Sequence, residues 1–238
     1  MEEQDELFRS EPVEGECLVM CYHPCSKLKL QLMEEEQVVE VIQKWTEISS
    51  KYYATSVYKW VQIFENHGEM VGCSNPHPHC QIWASKFLPT LPERMDKNLL
   101  KYFEKHQKPL LVDYCEKEKF SLSHRFVCEN NDWVVYVPWW AQWPFETILL
   151  PKNPNLRTLS ELSAEETRSL ANILKSLLIK YDNLFATDFP YCFAWYQAPL
   201  NHNSVLHWTL HGVFFPPLLR SAHVKKFVAG YELFSECQ

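Results

Sequence analysis

The chain has 238 residues, 46% of them apolar and 14% aromatic, with nine tryptophans and only five glycines. That is the composition of a folded globular protein with an ordinary core, and it excludes a disordered or low-complexity chain. A net charge of −7 argues against a general nucleic-acid or membrane-surface binder, although a site for one small anion needs only local positive character.

The first strand candidate in the chain is "ECLVMCY", 16–22. "EEEQVVEVIQKWTEISSKYY" follows, with Val38, Val41 or Ile42, Trp45 and Ile48 on one helical stripe. "KWVQIFE" and "CQIWAS" read as strands, separated by the polar loop "NHGEMVGCSNPHPH". "PERMDKNLLKYFEKHQ", 92–107, reads as an amphipathic surface helix, and "EKEKFSLSHR", 116–125, as a solvated turn. "DWVVYVP" and "ETILLP" are the next strands, and the tryptophans around them are assigned to core or interface packing rather than ligand stacking. "LSAEETRSLANILKSLLIKYDNLF" is a helix whose apolar stripe is Leu170, Ile173, Leu174, Leu177 and Tyr181. Ser163 with Glu166 three residues on forms a capping box at its start. "YCFAWY" and "HWTLHGVFF" are the last strands.

These elements repeat in order: strand, loop, helix, strand, polar loop, then a histidine-bearing strand. The expectation is an α+β fold with a mainly antiparallel sheet, flanking helices and two related halves, 1–108 and 109–238. The second half has an extra strand, "DWVVYVP", before "ETILLP". The polar "MEEQDELFRSEPV" offers no counterpart, so the first half is expected to be incomplete at its start.

The nine cysteines are an odd number, "MEEQDELFRS" has no secretory character, and no apolar run reaches the length of a membrane span. Free thiols in the cytoplasm are expected.

The chemistry concentrates in "GCSNPHPHCQIWAS", 72–85. A neutral imidazole attacks phosphorus well when its other nitrogen is held as a donor by a carbonyl. The proline between His77 and His79 restricts the backbone. Asn66, Ser74 and Gln81 would donate to phosphoryl oxygens without a metal, and amides near Gly72 would add to them. A zinc site is the rival, from Cys73, His77, His79 and Cys80 or from Cys17, Cys21, His23 and Cys25 upstream, but the repeated two-residue spacing of a zinc motif is missing. The plain alternative is histidines that satisfy loop backbone.

"FENHGEMVGCSNPHPHCQIWASKFLP" closely resembles the active-site segment of the galactose-1-phosphate uridylyltransferase family, a branch of the histidine-triad superfamily. "VPWWAQWPFETILLPK", "KYDNLFATDFPY" and "HWTLHGVFFPPLLRSAHVKKFVAGYE" resemble successive blocks of that family, in order and over nearly the whole chain. The resemblance implies UMP transfer by double displacement. His79 would attack UDP-glucose and release glucose 1-phosphate; galactose 1-phosphate would then discharge the uridylyl-histidine. It places Gln81 against the phosphoryl oxygens, Ser74 at the sugar phosphate, and Asn66, Gly72 and Cys73 along the nucleotide. His77 completes the catalytic motif. Lys226, Phe227, Ala229, Tyr231, Glu232 and Gln238 match the hexose-contacting segment, which serves the partner subunit's site in the family, so a homodimer is implied.

The family pattern also has roughly a hundred further N-terminal residues, and its structural metal site uses one glutamate and three histidines. The matching positions here are Met95, Tyr196, His211 and Val213. A second zinc site of bacterial members needs two N-terminal cysteines that are absent here; His77 remains of it, with Cys25 as a candidate neighbour, while His207, four residues before His211, makes only a partial set with it and Val213. No bound cofactor or metal is expected, zinc being the family's candidate. Tyr196 and Gln197 are expected to fill the vacated metal site, with Met95 and Val213 buried together. Two other functions compete: a non-catalytic relative that acts in dimerisation, and a nucleotide-sugar hydrolase or phosphorylase.

Overall fold

In the computed structural model, residues 7–8, 10, 12–120, 124–142, 144–200, 204–217, 219–221 and 224–225 are described. Strand β1 (Gly15–Cys21) leads through a short 3₁₀ turn to helix α1 (Glu35–Tyr53), then β2 (Trp60–His67) and β3 (His79–Ser85). Helices α2 (Thr90–His106) and α3 (Leu110–Phe120) follow, then β4 (Phe126–Glu129), β5 (Trp133–Tyr136) and β6 (Thr147–Pro151). Another 3₁₀ turn enters helix α4 (Ala164–Phe185), followed by β7 (Tyr191–Tyr196) and β8 (His211–Phe215). A ribbon of β9 (Leu219–Ser221) and β10 (Val224–Lys225) is separate from the main sheet.

Eight strands form one sheet in the order β1-β3-β2-β7-β8-β6-β5-β4, every pair antiparallel. About the β2–β7 seam the order β1-β3-β2 mirrors β6-β8-β7, and α1 mirrors α4 in each connection. The two mirrored sets of strands join through their inner members, β2 and β7. Beyond β6 the second half continues into β5 and β4, whereas β1 is an edge among the described residues.

Strand alternation gives the sheet two faces. One face packs on α1 and α4, where Val38, Ile42, Trp45, Leu170, Leu174 and Leu177 meet Ile63, Ile82, Phe193 and Trp195. These stripes are the ones the helical periodicity predicts, and Ser163 caps α4 as expected, its hydroxyl accepting from the Glu166 amide. On the opposite face α2 and α3 cover the second half and the Trp60 end of β2: Leu111 and Cys115 pack on Val134, Tyr136 and Ile148, and Leu99 packs with Trp60 and Trp208. The rest of the first three strands is open on that side, with Val19 68% and Trp83 51% exposed.

Two readings need correction. Strand β8 starts at His211 rather than His207. Residues before it leave the sheet because His207 Nε2 and the Trp208 indole both hydrogen-bond Asp96 Oδ1 on α2, at 2.7 and 2.6 Å, and the Leu210 amide donates to Leu156 O. The stretch 116–120 is the end of α3 rather than a turn. Buried Glu118 there accepts from Arg125 Nε and Nη2 at 3.0 and 2.8 Å. Charge had masked a helix whose Leu111 and Cys115, four apart, meet the sheet.

Candidate active site

Strand β3 sends Cys80, Ile82 and Ala84 into the core and therefore turns His79, Gln81 and Trp83 to the uncovered face. The core side is anchored: the Trp45 indole donates to Cys80 Sγ at 3.3 Å. The loop that delivers the chain to His79 depends on two glycines. Gly68 has φ +93°, and a Cβ there would stand 3.0 Å from Pro190 Cβ; Gly72 has φ +82°. Within the loop the Cys73 amide donates to Gly68 O at 3.3 Å, and the His77 amide to Asn75 Oδ1 at 3.0 Å.

The two histidines of the motif have different tasks. His77 Nε2 is 2.7 Å from His23 O, so that nitrogen carries the proton and ties the loop to the exit of β1. The Tyr22 amide adds a second tie, donating to Pro78 O at 3.0 Å. His79 Nδ1 is 2.7 Å from His77 O. A carbonyl only accepts, so Nδ1 bears the hydrogen and Nε2 keeps a free lone pair. Trp83 donates to Gln81 Oε1 at 3.3 Å, which turns the Gln81 NH₂ outward as a donor. Asn66 points to the same face from neighbouring β2, where Phe64 is in register with Gln81. Gly72, Cys73 and exposed Ser74 line the loop between these strands. Lys226, Phe227, Ala229, Tyr231, Glu232 and Gln238 lie outside the described residues.

Beneath this face lies a charged cluster that the motif reading missed. Glu65 and His67 alternate onto the buried side of β2. His67 Nε2 is 2.8 Å from Asp188 Oδ1, and its Nδ1 is 3.5 Å from Glu65 Oε1. Tyr22 donates to Glu65 at 2.9 Å, Lys29 pairs with Asp188, and Tyr191 stacks on the imidazole at 4.8 Å. Burial alone would push the His67 pKa down, but hydrogen bonds to Asp188 and Glu65 and their charges prevail and raise it to about 9. Asp188, bonded to His67 and Lys29, falls to about 2. The signal was in the sequence: an acid and a histidine two apart on a core-facing strand must find partners.

The second half repeats the imidazole geometry. His211 opens β8 as His79 opens β3, and its Nδ1 is 2.8 Å from Thr209 O, two residues upstream like His77 O. Here the ring is 3% exposed, and burial lowers its pKa to about 4, so it is neutral. Met95, Tyr196, His211 and Val213 do converge, on a cavity of about 410 Å³. They offer one imidazole, a thioether, a phenol and a hydrocarbon, a set that does not fit a structural divalent ion. Among the described residues no three His, Cys, Asp or Glu side chains gather as a metal site, around His77 and Cys25 included. The four side chains line the space rather than filling it. Gln197 is not among them; it faces the core, accepting from the Leu159 amide and donating to Ser49 Oγ.

The eight cysteines described are all unpaired. No helix among the described residues is long and apolar enough to cross a membrane.

Comparison with known proteins agrees with this architecture. The family models for the N-terminal and C-terminal domains of galactose-1-phosphate uridyl transferase match residues 1–89 and 95–238. A probable galactose-1-phosphate uridylyltransferase of Drosophila melanogaster is 48% identical over 98% of this chain and 67% of its own length. The galactose-1-phosphate uridylyltransferase of Rattus norvegicus is 46% identical over 98% of this chain and 61% of its own. The chain thus spans about two thirds of the length of these relatives. A solved uridylyltransferase superposes with a TM-score of 0.89 at 27% identity, covering 97% of this chain and 73% of that one. An ADP-glucose phosphorylase from Arabidopsis thaliana, at 20% identity and a TM-score of 0.82, shares the fold. The chain belongs to the galactose-1-phosphate uridyl transferase family.

Proposed function

We propose that the chain transfers a uridylyl group between UDP-glucose and galactose 1-phosphate through a covalent intermediate on His79. The observation that carries this reading is the Nδ1–H of His79 donating to His77 O, which leaves Nε2 as the nucleophile. Nε2 attacks the α-phosphorus and glucose 1-phosphate departs with the electrons of the broken P–O bond. Phosphorylation makes the ring cationic, and the His77 carbonyl opposite Nδ1–H stabilises that charge. Galactose 1-phosphate then attacks the same phosphorus from its phosphate oxygen, and imidazole leaves neutral. Because both steps pass through one intermediate, one set of donors serves both. Gln81, fixed by Trp83, and Asn66 would hold the phosphoryl oxygens; Ser74 would meet the sugar phosphate, with Gly72 and Cys73 along the nucleotide. Lys226, Phe227, Ala229, Tyr231, Glu232 and Gln238 are proposed as hexose contacts from a second subunit in a homodimer. The exposed Val19 and Trp83 support a dimer, since they leave apolar sheet surface to cover. Eight free thiols support a cytoplasmic setting.

Intact-mass spectrometry after mixing the reduced protein with UDP-glucose tests the reading. One uridylyl adduct is expected, absent in His79→Ala and discharged by galactose 1-phosphate. Discharge by water or inorganic phosphate instead would mark a hydrolase or a phosphorylase. A folded protein that takes up no adduct would refute catalysis and favour an interaction role.

A further inference from the structure

The cavity beneath α2 has no part in the reaction proposed above. Its floor is β8 and β6, its roof α2 and the start of α3, and Trp140 stands at its side, 47% exposed. Leu99, Leu111, Ile148 and Val213 make its walls largely apolar. At about 410 Å³ it falls within the roughly 300–1,000 Å³ of small-molecule sites.

Two polar groups distinguish it from a packing defect. His211 is 3% exposed and spends its Nδ1–H on Thr209 O, so its Nε2 is an acceptor; among the described residues that nitrogen has no donor. The ring lines the cavity, so this acceptor is open to it and a ligand bearing a hydroxyl or N–H could donate to it there. Arg94, on the exposed side of α2, lines the same cavity and forms no ion pair among the described residues. The Arg94 cation, the His211 acceptor and the apolar walls define the complementary molecule; Glu146, the other charged residue of the lining, is already engaged, its carboxylate accepting from the Gln142 amide at 2.7 Å. A sugar diphosphate, with two charges and many hydroxyls, does not match those walls.

We propose that the second half carries a second ligand site, in which this cavity binds a small hydroxyaryl carboxylic acid whose hydroxyl donates to His211 Nε2 and whose carboxylate meets Arg94. The site is independent of the transfer reaction and does not require that reading to hold. The duplicated imidazole is then a binding group here, where its counterpart His79 faces the open side of the sheet.

The test uses 3-(4-hydroxyphenyl)propionate, followed by the ring carbon–proton signal of His211, which His211→Gln assigns by its loss. The expected result is a saturable shift of that signal that persists in His79→Ala. Arg94→Met, an exposed change on the helix surface, should weaken binding about tenfold, the size of one charge-assisted hydrogen bond. 4-Ethylphenol, which lacks the carboxylate, should bind about tenfold less well to the unmodified protein and equally to both proteins. 3-Phenylpropionate, which lacks the hydroxyl, should bind several-fold less well. No saturable shift with probe at roughly a thousandfold above micromolar affinity, that is millimolar probe, would overturn the proposal. So would equal affinity of the full probe for Arg94→Met, or a response confined to His79.

Discussion

Replacing His67 with glutamine keeps a hydrogen-bonding side chain on β2 but removes the positive charge from between Glu65 and Asp188. The imidazole titrates near 6.5 when unfolded and at about 9 when folded. At about 1.36 kcal/mol per pKa unit that difference amounts to roughly 3 kcal/mol. Asp188 is 47% exposed, so water screens one of the two carboxylates, and about 2 kcal/mol is the expected contribution. The sign is fixed by the direction of the shift. A raised folded pKa stabilises fully below the unfolded value, where both states are protonated, and that stability is lost as the pH rises through about 9. Asp188 contributes in the other direction, losing its stabilisation only as the pH falls toward about 2, so it is constant above pH 6. Tyr22, Tyr191 and Lys29 also face the cluster but remain in both proteins. Urea unfolding under reducing conditions, from about pH 6 to about pH 10, should therefore show a stability gap between the two proteins that shrinks by about 2 kcal/mol at the alkaline end. A gap that does not change with pH would refute the charged imidazole, as would a ring titration near or below its unfolded value.

Asp96→Ala should cost about 2–4 kcal/mol in the same unfolding assay, because it strands two buried donors, His207 Nε2 and the Trp208 indole. Asp96→Asn, which keeps an acceptor, should recover part of that loss. Ser163→Ala should cost about 1 kcal/mol by removing the cap of α4, with no change in uridylyl uptake.

Much of this architecture can be read from residue order. Helices α1 and α4 declare themselves through stripes of Val, Ile, Leu and Trp, and the repeat of strand, helix, strand and histidine-bearing strand anticipates a sheet mirrored about β2 and β7. The place of His79 at the polar start of a strand is legible as well, because the run after the histidine, proline and histidine alternates as a strand does. Helix α3 is not, since its apolar contacts are few and its end is crowded with Glu and Lys. The start of β8 depends on Asp96, more than a hundred residues away in sequence, and no local pattern announces such a bond. Likewise the cavity exists only because α2 and α3 bridge over β6 and β8, a matter of helix placement rather than periodicity.

The seam between β2 and β7 bears on how the chain reaches this shape. Its register joins Ile63 to Trp195 and His67 to Tyr191, so the two middle strands of the sheet meet only after a loop of well over a hundred residues has closed. Closing such a loop is entropically slow, and chains dominated by distant pairings fold on roughly the millisecond-to-second scale or slower. Until the seam forms, Ile63 and Trp195 have unpaired backbone beside them, and each half is a partial sheet with a raw inner edge. The sheet therefore has a vulnerable period during assembly at its centre, where the finished molecule shows no edge at all.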